Sequence, residues 1–248
     1  MIRPSLTIPH PLTGVILAGT DTAVGKTTVA RALLRLAARS GLRLLPFKPV
    51  ETGCQDDGPR DSLDLIQAAS APSLTSDDVC PYSFAAPLSP SVASRMEGRR
   101  VELAVLLEAA HALAARADAL LVEGAGGLLS PWAPGLHLGT FAADLQLPLL
   151  IVAPNRLGTI NQTALVASEC RRRELPCLGF VLVDVSPIAT PDHDTNAEEI
   201  VRETQVPFLG ALPYLDPTNV DDLADRAAMT LDVTAILQAA SRPSTVPL

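Results

Sequence analysis

Short, almost wholly apolar runs recur along the chain, and each gives way to a turn of small residues and then to helical periodicity. Residues 14–19 (GVILAG) lead through a loop into the Ala/Leu-rich stretch 28–39. Residues 119–122 (ALLV) end in Glu123 and a glycine-rich turn, and residues 149–153 (LLIVA) pass through PNRLG into a predicted helix over 160–172. Strands that are apolar at every position, not at every second one, belong to a parallel sheet buried on both faces. Further strands are predicted at 42–47, 177–183 and 208–212, and the spacing in 101–116 predicts a long helix feeding the strand at 119–122. The expected fold class is α/β, a mainly parallel β-sheet covered by helices on both faces, in one phosphate-loop domain spanning residues 1–248. No internal repeat and no charged linker divides the chain.

Two stretches break this rhythm. Residues 53–59 are short, polar and turn-forming, and residues 81–98 (PYSFAAPLSPSVASRMEG) carry three prolines among small polar residues, so the latter is expected to be largely loop. Residues 231–248 are expected to hold a short terminal helix ahead of SRPSTVPL.

Composition then narrows the function classes. The 248 residues carry 19 Lys+Arg against 27 Asp+Glu, and a formal net charge of -8 gives no general attraction for nucleic acid. Aromatic residues make up only 3%, too few for base-stacking platforms. The four cysteines, Cys54, Cys80, Cys170 and Cys177, form no CxxC pair, and the four histidines fall at no metal-ligand spacing from them. The first ten residues lack an apolar signal core, and no window approaches the length of a membrane span. A reduced, cytoplasmic protein with neither a nucleic-acid nor a membrane partner is expected.

The chemistry begins at residues 19–27, GTDTAVGKT, which follow an apolar strand and precede a helix, the setting of a phosphate loop. Gly25 lets the backbone turn close to an anion, and successive N–H groups at the helix start can surround phosphate oxygens. Lys26 is placed to reach the β- and γ-phosphates, and Thr27 to put its hydroxyl on Mg²⁺. The usual spacing wants its first glycine at position 20, where Thr20 stands; the available glycine is Gly19. Kinases, ATPases, synthetases and switches all share such a loop, so other residues must separate them.

Glu123 closes an expected parallel strand and is followed by GAGG, a position suited to helping hold Mg²⁺. Asp61 opens a predicted helix in RDSLDL and offers another acidic oxygen, although Asp64 three residues later offers the same. Lys48, in FKPVETG, points toward the edge occupied by the phosphate loop if the two strands are parallel and adjacent; its ammonium would neutralise a transferring phosphoryl group. Thr52 in the following loop is a hydrogen-bonding group for substrate or for the same anion.

Together GTDTAVGKT, FKPVETG, LVEGAGG and NRLGTINQT resemble the dethiobiotin synthetase family, in the family's order and over about residues 14–215. The resemblance implies an ATP-dependent cyclo-ligase with Mg²⁺ as cofactor and ATP as co-substrate, acting on 7,8-diaminononanoate and CO₂ as a homodimer. It implies catalytic roles for Lys26, Lys48 and Thr52, and Mg²⁺ held by Thr27, Asp61 and Glu123. Nucleotide contacts are implied for Gly19, Thr20, Asp21, Thr22, Ala23, Val24, Gly25, Lys26, Thr27 and Thr28. The same is implied for Glu123, Gly124, Ala125, Gly126 and Gly127, and for Val183, Asp184, Pro213 and Leu215. Residues 81–90 resemble a segment beside the diamine, and residues 155–161 a stretch at the substrate site and dimer contact. Two positions depart from the family: Ala23 stands where an acidic residue is frequent, and Val183 where an amide precedes Asp184 near the adenine. Valine has neither donor nor acceptor, so weaker discrimination among ATP, GTP and CTP is expected.

Two other functions share these features. An ATP-dependent, carboxylate-activating amidotransferase or ligase would need a glutamine-processing domain, for which the stretch after Leu215 is too short. A nucleotide-controlled switch would want a partner-binding or membrane-binding tail, which SRPSTVPL does not resemble. Arg171, Arg172 and Arg173 read as charges at a helix end, where the dipole favours them, not as a phosphate site.

Overall fold

The computed structural model describes residues 12–55, 58, 60–188, 190–215 and 219–243. In chain order the strands are β1 (Gly14–Gly19), β2 (Leu44–Phe47), β3 (Val50–Thr52), β4 (Tyr82–Phe84), β5 (Ala119–Gly127), β6 (Pro131–Ala133), β7 (Leu136–His137), β8 (Leu149–Pro154), β9 (Cys177–Val183) and β10 (Phe208–Leu212). The helices are α1 (Lys26–Arg39), α2 (Asp61–Ala68), α3 (Ser76–Val79), α4 (Pro90–Met96), α5 (Leu103–Ala114), α6 (Leu138–Leu145), α7 (Thr159–Arg172), α8 (Asn196–Thr204), α9 (Val220–Thr230) and α10 (Val233–Ala240).

Six strands form one sheet in the order β10-β9-β8-β1-β5-β2, with every neighbouring pair parallel. Side chains alternate across a strand, and both faces here are apolar. Val15 and Leu17 enter one cluster with Leu33 of α1 and Leu223 of α9, while Ile16 and Ala18 enter the other with Leu106 of α5 and Phe141 of α6. The continuous apolar runs in the sequence are the record of this double burial. Among the described residues, no helix is long and apolar enough to cross a membrane.

β1 sits between β5 and β8, so the chain leaves it for β2 on one side and later returns to its other side. Parallel strands around such a reversal leave a crevice beyond their carboxyl ends, where ligands bind. The phosphate loop lies at that edge. β2 is not adjacent to β1, because β5 is inserted between them. Lys48 shares the edge through the common strand direction, and its neighbour is the Glu123 strand.

Two further expectations are corrected. Residues 81–98 are largely structured: β4 pairs in parallel with β3, and α4 begins at Pro90 behind Ser89. A proline at the first helical position lacks only an N–H that would be unpaired anyway, so it starts this helix instead of breaking it. The glycine-rich segment after Glu123 is strand, not turn, since β5 runs on to Gly127 and pairs there with Gly19. Gly124 is needed for packing: a Cβ there would lie 2.3 Å from Leu138 Cδ2. The terminal helix is α10; residues 244–248 and three positions of the 53–59 turn lie outside the described residues.

Candidate active site

A cavity of about 580 Å³ opens at the carboxyl edge of the sheet. The predicted site residues line it, except Gly19, Thr20, Asp21, Val24 and Gly127. Those five lie outside its wall, where Val24 is anchored in the core and Asp21 holds the loop together.

The loop's shape follows from two glycines. Gly25 adopts φ 92, in the left-handed region, and a Cβ there would stand 2.6 Å from Val183 Cγ1. It caps α1 without any side-chain hydrogen bond, which leaves first-turn N–H groups for an anion. Gly19 gives room to Lys26, whose Nζ would meet a Cβ there at 2.6 Å and which donates to the Asp21 carbonyl at 2.9 Å. A Cβ at position 19 would also stand 2.8 Å from the Asp21 carbonyl oxygen, a backbone atom that cannot swing aside, so the loop needs its glycine there.

Next to the loop the charged groups converge. Lys48, buried at the end of β2, donates to Glu123 Oε1 at 2.8 Å and to Asp61 Oδ2. Thr27 Oγ1 donates to the same Glu123 oxygen at 2.8 Å. Glu123 is 1% exposed, and its Oε2 is buried without a hydrogen-bond partner. An unpartnered buried carboxylate oxygen is costly, and a hard cation is the partner it suits. Thr27, Glu123 and the partly exposed Asp61 thus fit Mg²⁺ as oxygen donors. Among the described residues no three His, Cys, Asp or Glu side chains form a metal cluster. Asp61 contacts Lys48 and lines the cavity, while Asp64 does not line it.

Burial and charge act differently on the two lysines. Burial works against the Lys48 ammonium, yet Glu123 and Asp61 together outweigh it and raise its pKa. Lys26 is shifted the other way: burial lowers its pKa, and repulsion from Lys48 adds to this against the attraction of Glu123.

Sequence reasoning passed over Glu51. Its buried carboxylate accepts from the Asp61 N–H at 2.6 Å and from the Ser62 N–H at 3.4 Å, capping α2 in place of Arg60, which supplies no side-chain cap. No local spacing signals this, because capping residues normally sit at the helix start itself. Glu51→Ala is expected to destabilise the protein by about 2 kcal/mol, measured by urea unfolding. An unchanged midpoint would mean that α2 does not depend on this cap.

The opposite arm of the cavity is uncharged except for one acid. It is formed by Val183, Asp184 and Val185 beyond β9 and by Pro213, Tyr214 and Leu215 beyond β10. Residues 81–90 and 155–161 contribute nothing to the cavity wall. Arg172 and Arg173 pair with Glu169, and Arg171 bonds the Thr204 carbonyl, in keeping with a helix end.

Known proteins resemble this chain over most of its length. A protein-family profile described as an AAA domain matches residues 13–221. The ATP-dependent dethiobiotin synthetase BioD of Anaeromyxobacter dehalogenans (strain 2CP-C) is 45% identical over 214 residues, covering 86% of this chain and 93% of that protein. That of Bacillus subtilis (strain 168) is 35% identical over 202 residues, covering 82% and 87%. Among solved structures, the Cyanothece McdA(D38A)-ATP complex superposes with a TM-score of 0.53 at 13% identity, over 96% of this chain and 100% of that one, a likeness of fold. On these matches the chain belongs to the dethiobiotin synthetase family.

Proposed function

We propose that this protein is an ATP-dependent dethiobiotin synthetase, closing a cyclic urea from 7,8-diaminononanoate and CO₂ with release of ADP and phosphate. The observation that carries this reading is the convergence of Lys26, Lys48, Thr27, Asp61 and Glu123 beside the uncapped start of α1. One amine of the diamine takes up CO₂ as a carbamate, whose oxygen attacks the γ-phosphorus while ADP departs. The second amine then attacks the carbamate carbon, phosphate leaves, and the five-membered ring closes. Because both nitrogens belong to one molecule, closure needs no further encounter.

Lys26 and the α1 N–H groups bind the nucleotide phosphates and hold them for in-line attack. Lys48 offsets the negative charge of the carbamate and of the phosphoryl group in transit. Thr52 offers a hydroxyl to the substrate from the cavity wall. Thr27, Asp61 and Glu123 would hold Mg²⁺, which when bound neutralises phosphate charge. The same proposal includes a homodimer in the cytoplasm; light scattering checks the dimer.

Incubation with ATP, Mg²⁺, the diamine and ¹³C-bicarbonate is expected to give a labelled cyclic urea by mass spectrometry, with one ADP per ring. ATP hydrolysis indifferent to the diamine, without ring product from folded, nucleotide-binding protein, would overturn the assignment in favour of a switch.

A further inference from the structure

The nucleotide cavity has two unlike arms on either side of the phosphate loop. Lys48, Asp61 and Glu123 mark one as the place of phosphoryl transfer, so the base of a nucleotide anchored on α1 takes the other. That arm contains a single charged side chain, Asp184. Val183 cannot serve as a polar reader, and its side chain is in any case committed to the space beneath Gly25.

Asp184 is held in place by a relay of buried amides. Its backbone N–H donates to the Leu212 carbonyl at 2.9 Å, and its Oδ1 accepts from Asn155 Nδ2 at 2.9 Å. Asn155 is 6% exposed and is itself held, its N–H on the Val183 carbonyl at 2.8 Å and its Oδ1 accepting from Asn196 Nδ2 at 3.0 Å. Asn196 is 2% exposed and also approaches the Arg156 carbonyl and Asp192. The His193 ring nitrogen stands 3.5 Å from the same Asp184 oxygen, Oδ1. The carboxylate is thus oriented through one oxygen by groups outside the cavity wall, which Asp184 lines. Such oriented polar groups discriminate because a mismatched ligand leaves them unpaired or repelled.

Resting on the proposed nucleotide-dependent reaction, we infer that Asp184 is the specificity-determining residue for the base, selecting nucleotides with an exocyclic amine over those with a carbonyl in its place. A carboxylate only accepts hydrogen bonds. The 6-amine of adenine and the 4-amine of cytosine each offer it a donor. Hypoxanthine and uracil put a carbonyl oxygen at the same position, where it meets negative charge, and carry their donor on the neighbouring ring nitrogen instead.

The test compares ATP with ITP and CTP with UTP, pairs matched in shape that differ at that group and at the ring nitrogen beside it, bare in the amino base and N–H in the keto base. In wild type, kcat/KM for ring formation is expected to be roughly 30-fold higher for the amino member of each pair, the usual worth of a hydrogen bond to a charged group. Asp184→Ala should bring both ratios to within about threefold. Asp184→Asn, which keeps the shape and can still bond Asn155, should do the same because an amide both donates and accepts. Ratios near one in wild type, or ratios that persist in both variants, would overturn the inference. Calorimetric titration with the four nucleotides reads the same ratios without turnover. A binding preference without any ring product would therefore sink the synthetase reading and leave the base contact standing.

Discussion

Lys48→Ala is expected to lower the single-turnover rate of ring formation by roughly two orders of magnitude, about 3 kcal/mol, and to destabilise the fold as well. The second effect comes from burial, because Lys48 and Glu123 form an ion pair in which both side chains are almost fully covered. Removing one partner leaves the other charged without compensation, a loss of about 3–5 kcal/mol in comparable buried pairs. The raised Lys48 pKa fixes the pH dependence: its contribution is complete below the ordinary lysine value and is lost only as pH climbs beyond it. The stability difference should therefore be flat through the neutral range. Pairing the change with Glu123→Gln separates the two effects. The double variant should recover much of the stability measured by urea unfolding, since no buried charge is stranded, yet it should not recover the rate. Near-normal single-turnover product formation by Lys48→Ala would remove the lysine from the chemistry, however complete the stability loss.

The six-stranded sheet is legible in the sequence because its strands are buried on both faces, and an unbroken apolar run as short as 149–153 between turn residues suits little else. The strand order is not legible, since an apolar run says nothing about which neighbour it pairs with. A Lys48 strand lying directly beside β1 is therefore as good a reading of the sequence as the observed one, in which β5 is its neighbour. The phosphate loop is legible from glycines and a lysine whose spacing is set by local backbone geometry. Contacts between distant segments are not. Glu51 caps a helix ten residues away, and the choice of Asp61 over Asp64 depends on Lys48 reaching the first of them. In the sequence Val183 reads only as a missing base contact. In the structure it also underlies Gly25, a packing role that an asparagine's polar head would have to satisfy differently.

Lys26→Met is expected to weaken nucleotide binding by about two orders of magnitude, or roughly 3 kcal/mol, while leaving the ligand-free protein more stable than wild type. Lys26 is 7% exposed, and burial and then Lys48 push its pKa down against the pull of Glu123, Asp21 and Asp61. A lysine whose folded pKa lies below its unfolded value binds fewer protons in the native state across the intervening range. Stability therefore rises with pH in that window, and at neutral pH the charge is a net cost to folding. Methionine fills nearly the same volume without the charge, and the hydrogen bond to the Asp21 carbonyl is the smaller loss. A gain of about 0.5–2 kcal/mol is expected, the range common when a functional residue is replaced by a better-folding one. Saturating nucleotide should invert the order, because wild type then gains about 2.7 kcal/mol at a hundredfold excess over Kd and the variant gains far less. Urea unfolding with and without ATP and Mg²⁺ reads both halves of the prediction, and a calorimetric titration gives the affinities. A variant that is less stable than wild type without nucleotide would show that the buried ammonium is held by Glu123 and Asp21 more firmly than its pKa implies. A variant that binds nucleotide as wild type does would remove Lys26 from the phosphate site.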